Sequence, residues 1–163
     1  MAITADLKGR EALMRRLNQL APNVEKYAAE AKMEIGKDAA KQIAANAPRD
    51  TGDYADSFKA ELVSANPDKA TVGISVTKDP SAVGIYASYI FRFLEFGTAP
   101  HSTVKGGGTV LGKKTAAASG AGIHPGTPAQ AHIFPTWRSL KKKARKRLLA
   151  AVNKGVREAM GKT

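Results

Sequence analysis

Cysteine is absent from the 163 residues, which excludes a disulfide scaffold, a thiolate zinc site, an iron–sulfur cluster and a cysteine nucleophile. Long apolar runs are missing as well. None approaches the roughly 20 residues that span a bilayer, and the opening MAITADLKGREALMRR lacks the apolar core of a secretory signal. The expectation is a soluble protein with no membrane partner, made and kept inside a cell unless lysis releases it. Acidic side chains are scarce in the second half, where no carboxylate lies between Glu95 and Glu158.

That scarcity shapes the charge. Twenty-six Lys and Arg stand against 14 Asp and Glu, a net charge of +12. The first hundred residues sum to zero, residues 101 to 137 contribute +3, and residues 138 to 163 contribute +9. A neutral body carrying a cationic last third points to polyanions or to a strongly acidic partner surface. The length is that of one ordinary domain over residues 1–163, able to bury about two-thirds of the surface its unfolded chain exposes.

Leu13, Met14, Leu17 and Leu20 fall at helical spacing, and Pro22 reads as the end of that short helix. Asn23 reads as the cap of a second helix. Its apolar stripe is Val24, Ala28, Ala31, Ile35, Ala39 and Ile43, and its wet face is Lys26, Glu30, Glu34, Lys37 and Lys41. An alanine-rich stripe permits close approach by a sheet or another helix. Ala47-Pro48 stops the helix, and Arg49 to Asp53 carry turn chemistry. Residues 59–64 and 70–77 read as strands of an antiparallel hairpin turning at Asn66-Pro67-Asp68. The aromatic stretch Ile85 to Phe96 begins as strand and finishes as helix before Gly97.

Residues 97–130, rich in Gly, Ala, Thr, Ser and Pro, show neither period and predict a long flexible loop. Pro135 sits where a last helix can begin. Trp137, Leu140, Ala144, Leu148, Ala151, Val152 and Val156 mark its buried stripe, and Lys141, Lys142, Lys143, Arg145, Lys146 and Arg147 project around the rest. The fold class expected is α+β: a small antiparallel sheet packed by N-terminal helices and a long basic C-terminal helix.

No constellation in the chain supplies catalysis. Gly107 to Thr115 comes within one residue of the phosphate-binding pattern G-x-x-x-x-G-K-[ST], but Lys114 stands where the magnesium-binding hydroxyl belongs, and no strand leads in and no helix leads out. His101, His124 and His132 form no i, i+4 pair and read as ordinary surface or core histidines rather than metal ligands. Ser57, Ser81, Ser88 and Ser139 lie in no nucleophile elbow. No catalytic residue, cofactor or metal is expected. The cationic helix is the strongest physical signal. Phosphate contact without sequence preference is one reading, and a solvated face or one paired with acidic patches on a neighbour is the other.

Four strings stand out beyond composition: Ala47 to Phe58 (APRDTGDYADSF), Tyr86-Ala87-Ser88-Tyr89, Leu94-Glu95-Phe96-Gly97-Thr98, and Ala131-His132-Ile133-Phe134-Pro135. In order and approximate spacing, over roughly residues 10 to 160, the chain resembles the neck or tail-component family of tailed bacteriophages, the gene-product-ten-like family. That family shows A-P-x-D-T-G-x-L-x-x-S, then Y-A followed by E-F-G-T, then P-F-x-x-P-A opening a C-terminal helix. This chain carries extra residues Ile90 to Phe93 and an altered last element, Ile133 to Trp137.

The resemblance implies a structural virion protein without enzymatic activity, assembled in the host cytoplasm and sited at the head–tail junction as a neck, connector or tail-completion component. It would form a homo-oligomeric ring around the DNA channel, with neighbouring neck, connector or tail proteins as partners. A basic, nonspecific nucleic-acid-binding or packaging accessory protein is the alternative.

Within that reading Pro48, Asp50, Thr51 and Gly52 build the turn joining the second helix to the sheet, and Glu95, Phe96, Gly97 and Thr98 place the start of the loop. Tyr54, Phe58, Phe96, Phe134 and Trp137 form a hydrophobic joint, in which truncating Trp137 costs about 3–5 kcal/mol if it is fully buried. Lys105, Lys113 and Lys114 on the loop, with Lys141, Lys142, Lys143, Arg145, Lys146 and Arg147 on the helix, face DNA or an acidic neighbour. The loop is expected to order in the assembly.

Overall fold

The computed structural model describes residues 10–66, 79–103 and 122–160, and for residues 10–21 the backbone alone. Expectations for 70–77, for the phosphate-loop-like string and for Lys105, Lys113 and Lys114 lie outside the described residues. The elements are α1 (Arg10–Asn46), α2 (Asp53–Asp56), β1 (Lys59–Leu62) with a 3-10 turn (Val63–Ala65), β2 (Val83–Tyr86), α3 (Phe91–Phe96), β3 (His101–Ser102), β4 (Ile123–His124) and α4 (Ile133–Ala159). The class is α+β, with helices and small antiparallel two-stranded sheets.

Two N-terminal helices were expected, and one is present, because α1 runs through Pro22 without a break. Proline forfeits one backbone hydrogen bond and costs about 3 kcal/mol inside a helix, but its fixed φ is helical. Just past it, Asn23 and Val24 are held where the chain passes Gly155 of α4, and a Cβ there would come within 2.9 Å of Val24 Cα. That packing offsets the lost bond. The stripe from Val24 to Ile43 is inward as read, deepest at Ala39 and Ile43, and Lys26, Glu30, Glu34, Lys37 and Lys41 are exposed.

The contacts divide the chain into two compact units, residues 1–40, 59–86 and 138–163 in one and 41–58 and 87–137 in the other. In the first, β1 pairs antiparallel with β2, Lys59 opposite Tyr86 and Leu62 opposite Val83. The hairpin strand read into 70–77 lies outside the described residues, and the described partner of β1 is β2. Val63–Ala65 coils after β1, and Val63 N–H donates to Ala82 O, which brings the 79–86 segment alongside. Val83 and Ala60 then press on Gly36 of α1, where a Cβ would meet Val83 Cγ1 at 2.6 Å. The glycine thus sets how closely the sheet approaches the helix.

α1 and α4 run antiparallel within this unit. Arg147 pairs with Glu34 and Asp38, Tyr27 donates to Glu158, and Lys154 lies 4.5 Å over the Tyr27 ring. These contacts lie at the surface, where ion pairs add little, and the two helices also approach closely where Gly155 lies against the Asn23–Val24 backbone. Among the described residues no helix is long and apolar enough to cross a membrane.

The second unit packs Ala47, Tyr54 and Ala55 against Phe58, Ala87, Ile90, Phe91 and Leu94. Gly52, at φ 99°, starts α2, and Thr51 Oγ1 accepts from Asp53 N–H and donates to its carboxylate. The stretch read as strand turning to helix resolves as β2 and α3, closed by Gly97. The long-loop expectation needs correction at its two ends. β3 pairs with β4, and Thr98 and Thr127 exchange both backbone hydrogen bonds, so residues 98–103 and 122–127 form a short ladder.

Candidate functional site

Helix α4 begins at Ile133 with no Ser, Thr, Asp or Asn before it, so its first N–H groups need an acceptor from elsewhere. Glu95 provides it from α3. Its Oε2 accepts from the backbone N–H of His132 and Ile133, each at 2.8 Å, and Oε1 accepts from Phe134 N–H at 3.0 Å. Glu95 is only 3% exposed. Burial alone would push its carboxyl up, but the three backbone donors outweigh this and hold it below the ordinary carboxylate value.

His132 is the second piece. Its Nδ1 lies 2.6 Å from Gln130 O, and a carbonyl only accepts, so Nδ1 carries the proton. Nε2 of the neutral ring then accepts from Tyr54 O–H at 2.8 Å. Burial, with the Glu95 charge adding, pushes the Tyr54 phenol up to about 12. Tyr54, Phe58 and His132 meet edge to face, and Asn46 Nδ2 donates to the buried Thr136 Oγ1. The cluster ties the end of α1, α2, α3 and the first turn of α4 into one joint.

Tyr54→Phe should lower stability by about 1–2 kcal/mol. It keeps the ring contacts and strands His132 Nε2 without a donor. Chemical denaturation reads the loss, and an unchanged midpoint would remove the hydrogen bond from the account.

The joint differs in membership from the one read in the sequence. Tyr54 and Phe58 belong to it, and Phe134 meets Phe96 at 5.9 Å, but Phe96 is 61% and Trp137 37% exposed. Trp137 is therefore not a buried anchor. It sits where α4 has just begun and few elements surround it, and its truncation should cost well below the 3–5 kcal/mol typical of a fully buried large aromatic. Sequence reading missed the capping role of Glu95 and the parts of His132, Thr136 and Asn46. An uncapped helix start facing a lone acidic residue in E-F-G-T was the available signal.

His101 and His124 stack at 5.0 Å across the β3–β4 ladder. His101 Nδ1–H donates to Ala99 O, whereas His124 Nδ1 accepts from Gly126 N–H. In neutral His124 the proton is then on Nε2, so the pair does not present two free lone pairs. Among the described residues no group of three or more His, Cys, Asp or Glu could hold a metal ion.

On α4, Lys141, Lys142, Lys143, Arg145 and Lys146 are exposed and make no ion pair among the described residues. Arg147 differs, being engaged by Glu34 and Asp38. It belongs to the fold rather than to the free cationic face.

No curated protein and no solved structure matches this chain. The family model described as Bacteriophage HK97-gp10, putative tail-component matches residues 11–97, more than half of the sequence, from α1 through the Glu95-Phe96-Gly97 turn. The elements it spans are those that build the Tyr54 and Glu95 sides of the joint, and the chain belongs to the HK97 gp10-like family of bacteriophage tail components.

Proposed function

We propose that this structural phage protein acts at the head–tail junction, as a neck, connector or tail-completion component, by assembling into a ring around the DNA channel. The observation that carries the reading is the free cationic face of α4 on a member of a tail-component family. A surface of one sign, unpaired among the described residues, favours association with a partner of opposite charge. A ring needs a heterologous contact that closes. The lysines at 105, 113 and 114 add to the positive charge of the sequence, and in this reading they would meet the channel's DNA or an acidic neighbour.

A second reading, nonspecific nucleic-acid binding by dispersed molecules, draws on the same face. Five free cations would give a salt slope near −4.5 if every one met a phosphate of duplex DNA. Mass photometry over a wide concentration range, with negative-stain imaging, tests the two. Rings without nucleic acid support the proposal. A monomer at every concentration that is also missing from purified particles overturns it, and a steep salt-dependent association with arbitrary duplex DNA then favours the second reading.

A further inference from the structure

One arrangement on the surface stays largely exposed, although one of its rings, Phe96, also meets Phe134. Tyr89, Phe93 and Phe96 stand at i, i+4 and i+7 on one face and are 78%, 50% and 61% exposed. Ile90, Phe91 and Leu94 of the same segment face inward against Ala47, Tyr54 and Ala55. That packing holds α2 beside α3, and α2 exposes Asp53 and Asp56, with Asp50 just before it. The three aspartates make no ion pair among the described residues. The α2–α3 pair therefore offers an acidic edge next to an aromatic stripe.

The exposed face of α4 has the opposite pattern. Arg138, Lys142 and Lys146 follow one another at successive turns, Lys141 and Arg145 flank them, and the face continues into Leu149 and Met160, each more than half exposed. Resting on the ring reading above, we propose that the α2–α3 surface of one copy docks on the α4 face of a second copy of this chain. Asp50, Asp53 and Asp56 meet Lys142, Lys146 and their neighbours, and the aromatic stripe meets the apolar continuation at Leu149.

Charge decides the occupant. DNA fits the cations but is repelled by the aspartates beside the stripe, whereas a second copy supplies both complements from one sequence. A full aromatic side chain buries about 150–250 Å², so three half-exposed rings offer on the order of 350 Å². That is less than half of the roughly 800 Å² per partner in a stable interface. The stripe alone is too small, and the contact needs the charged edge around it, the arrangement of apolar centre and polar rim usual in interfaces. Because the two surfaces differ, the contact is head to tail and generates a ring or filament rather than a closed pair.

The test is charge reversal on the full chain, read by mass photometry at physiological salt. Asp53→Lys with Asp56→Lys, and separately Lys142→Glu with Lys146→Glu, should each weaken oligomer formation at least tenfold, and the chain carrying all four changes should regain it. Phe93→Ser should also weaken it, and Glu25→Lys with Glu30→Lys, on α1, should not. All changed side chains are exposed, so unaltered circular dichroism and melting confirm the fold of each variant. Oligomers that survive both double changes overturn the inference and leave the ring reading standing. Loss in both without recovery in the fourfold variant overturns the proposed pairing, and oligomers that nuclease dissolves assign α4 to DNA instead. An unmodified chain that never oligomerises counts against the ring reading itself.

Discussion

Glu95→Ala should lower the unfolding free energy by about 4 kcal/mol, with the denaturant midpoint falling and the slope unchanged. The wild-type carboxylate accepts three backbone N–H groups at the start of α4 from a nearly fully buried position. Alanine removes all three charge-assisted bonds at once and takes a negative charge from the positive end of a 27-residue helix. Each orphaned buried donor costs about 1–3 kcal/mol. Ile133 and Phe134 are only half-buried, so water recovers part of that cost, which sets the total below the sum. Glu95→Gln keeps the shape but turns an amide NH2 toward backbone donors, and it should lose about 2–3 kcal/mol. An alanine variant within about 0.5 kcal/mol of wild type, the range of an ordinary surface substitution, would mean that α4 starts without this cap.

The same carboxylate carries a pH signature. Its folded value lies below the ordinary 4.5, so its stabilisation is complete above the unfolded value and disappears as the pH falls through the folded one. The stability gap between wild type and Glu95→Ala should therefore be flat from neutral pH down to about pH 5 and shrink below that. A gap that stayed constant to pH 2 would show that the carboxylate's charge contributes nothing and that packing alone carries the difference.

Much of this was readable from period and punctuation. The inward stripe of α1, its stop at Ala47-Pro48 and the strand-to-helix change ending at Gly97 all follow from local rules, because in each case the side-chain pattern and the backbone signal agree. Pro22 broke the agreement. A proline predicts an end, yet tertiary contacts at Val24 and Gly155 carry α1 through it. Strand pairing was illegible for a different reason. β1 and β2 are four residues each, and which short strand lies beside which depends on where an intervening segment returns, which no local pattern encodes.

The joint was half legible. Tyr54, Phe58 and Phe134 were identifiable as aromatics near motif strings, but exposure depends on which neighbours surround a position. Phe96 and Trp137 look no different from buried residues until α3 and α4 are placed. The Glu95 cap is a contact across 37 to 39 residues, so the acidic residue and the helix it serves appear in the sequence as two unrelated facts. Only the absence of a local cap at Ile133 joins them. In this chain the string Glu95-Phe96-Gly97-Thr98 thereby acquires a physical content: the acid caps one helix, the glycine closes another, and the threonine starts a ladder.

Gly97→Ala should be nearly as damaging as loss of the cap, at about 3–4 kcal/mol, by a backbone mechanism. Gly97 has φ 72° and ψ −176°, a region that residues with a Cβ avoid and that costs about 1–3 kcal/mol to impose. Space adds to strain, because a Cβ would lie 2.6 Å from Thr127 O and 2.9 Å from Ala129 N. Both are backbone atoms that cannot rotate away. They lie so close because Thr98 and Thr127 exchange hydrogen bonds in both directions and Gln130 N–H donates to Leu94 O. Gly52→Ala is the control. It also has a positive φ, 99°, but with ψ −22° it lies in the left-handed helical region and its Cβ would meet nothing within 4 Å, so it should cost only about 1–2 kcal/mol. Amide hydrogen exchange at Thr98 and Thr127 should accelerate in the Gly97 variant and not in the Gly52 one. Equal losses at the two glycines would mean that strain alone is at work and that the ladder after α3 yields easily. A larger loss at Gly97 makes that ladder a rigid root for the segment it closes.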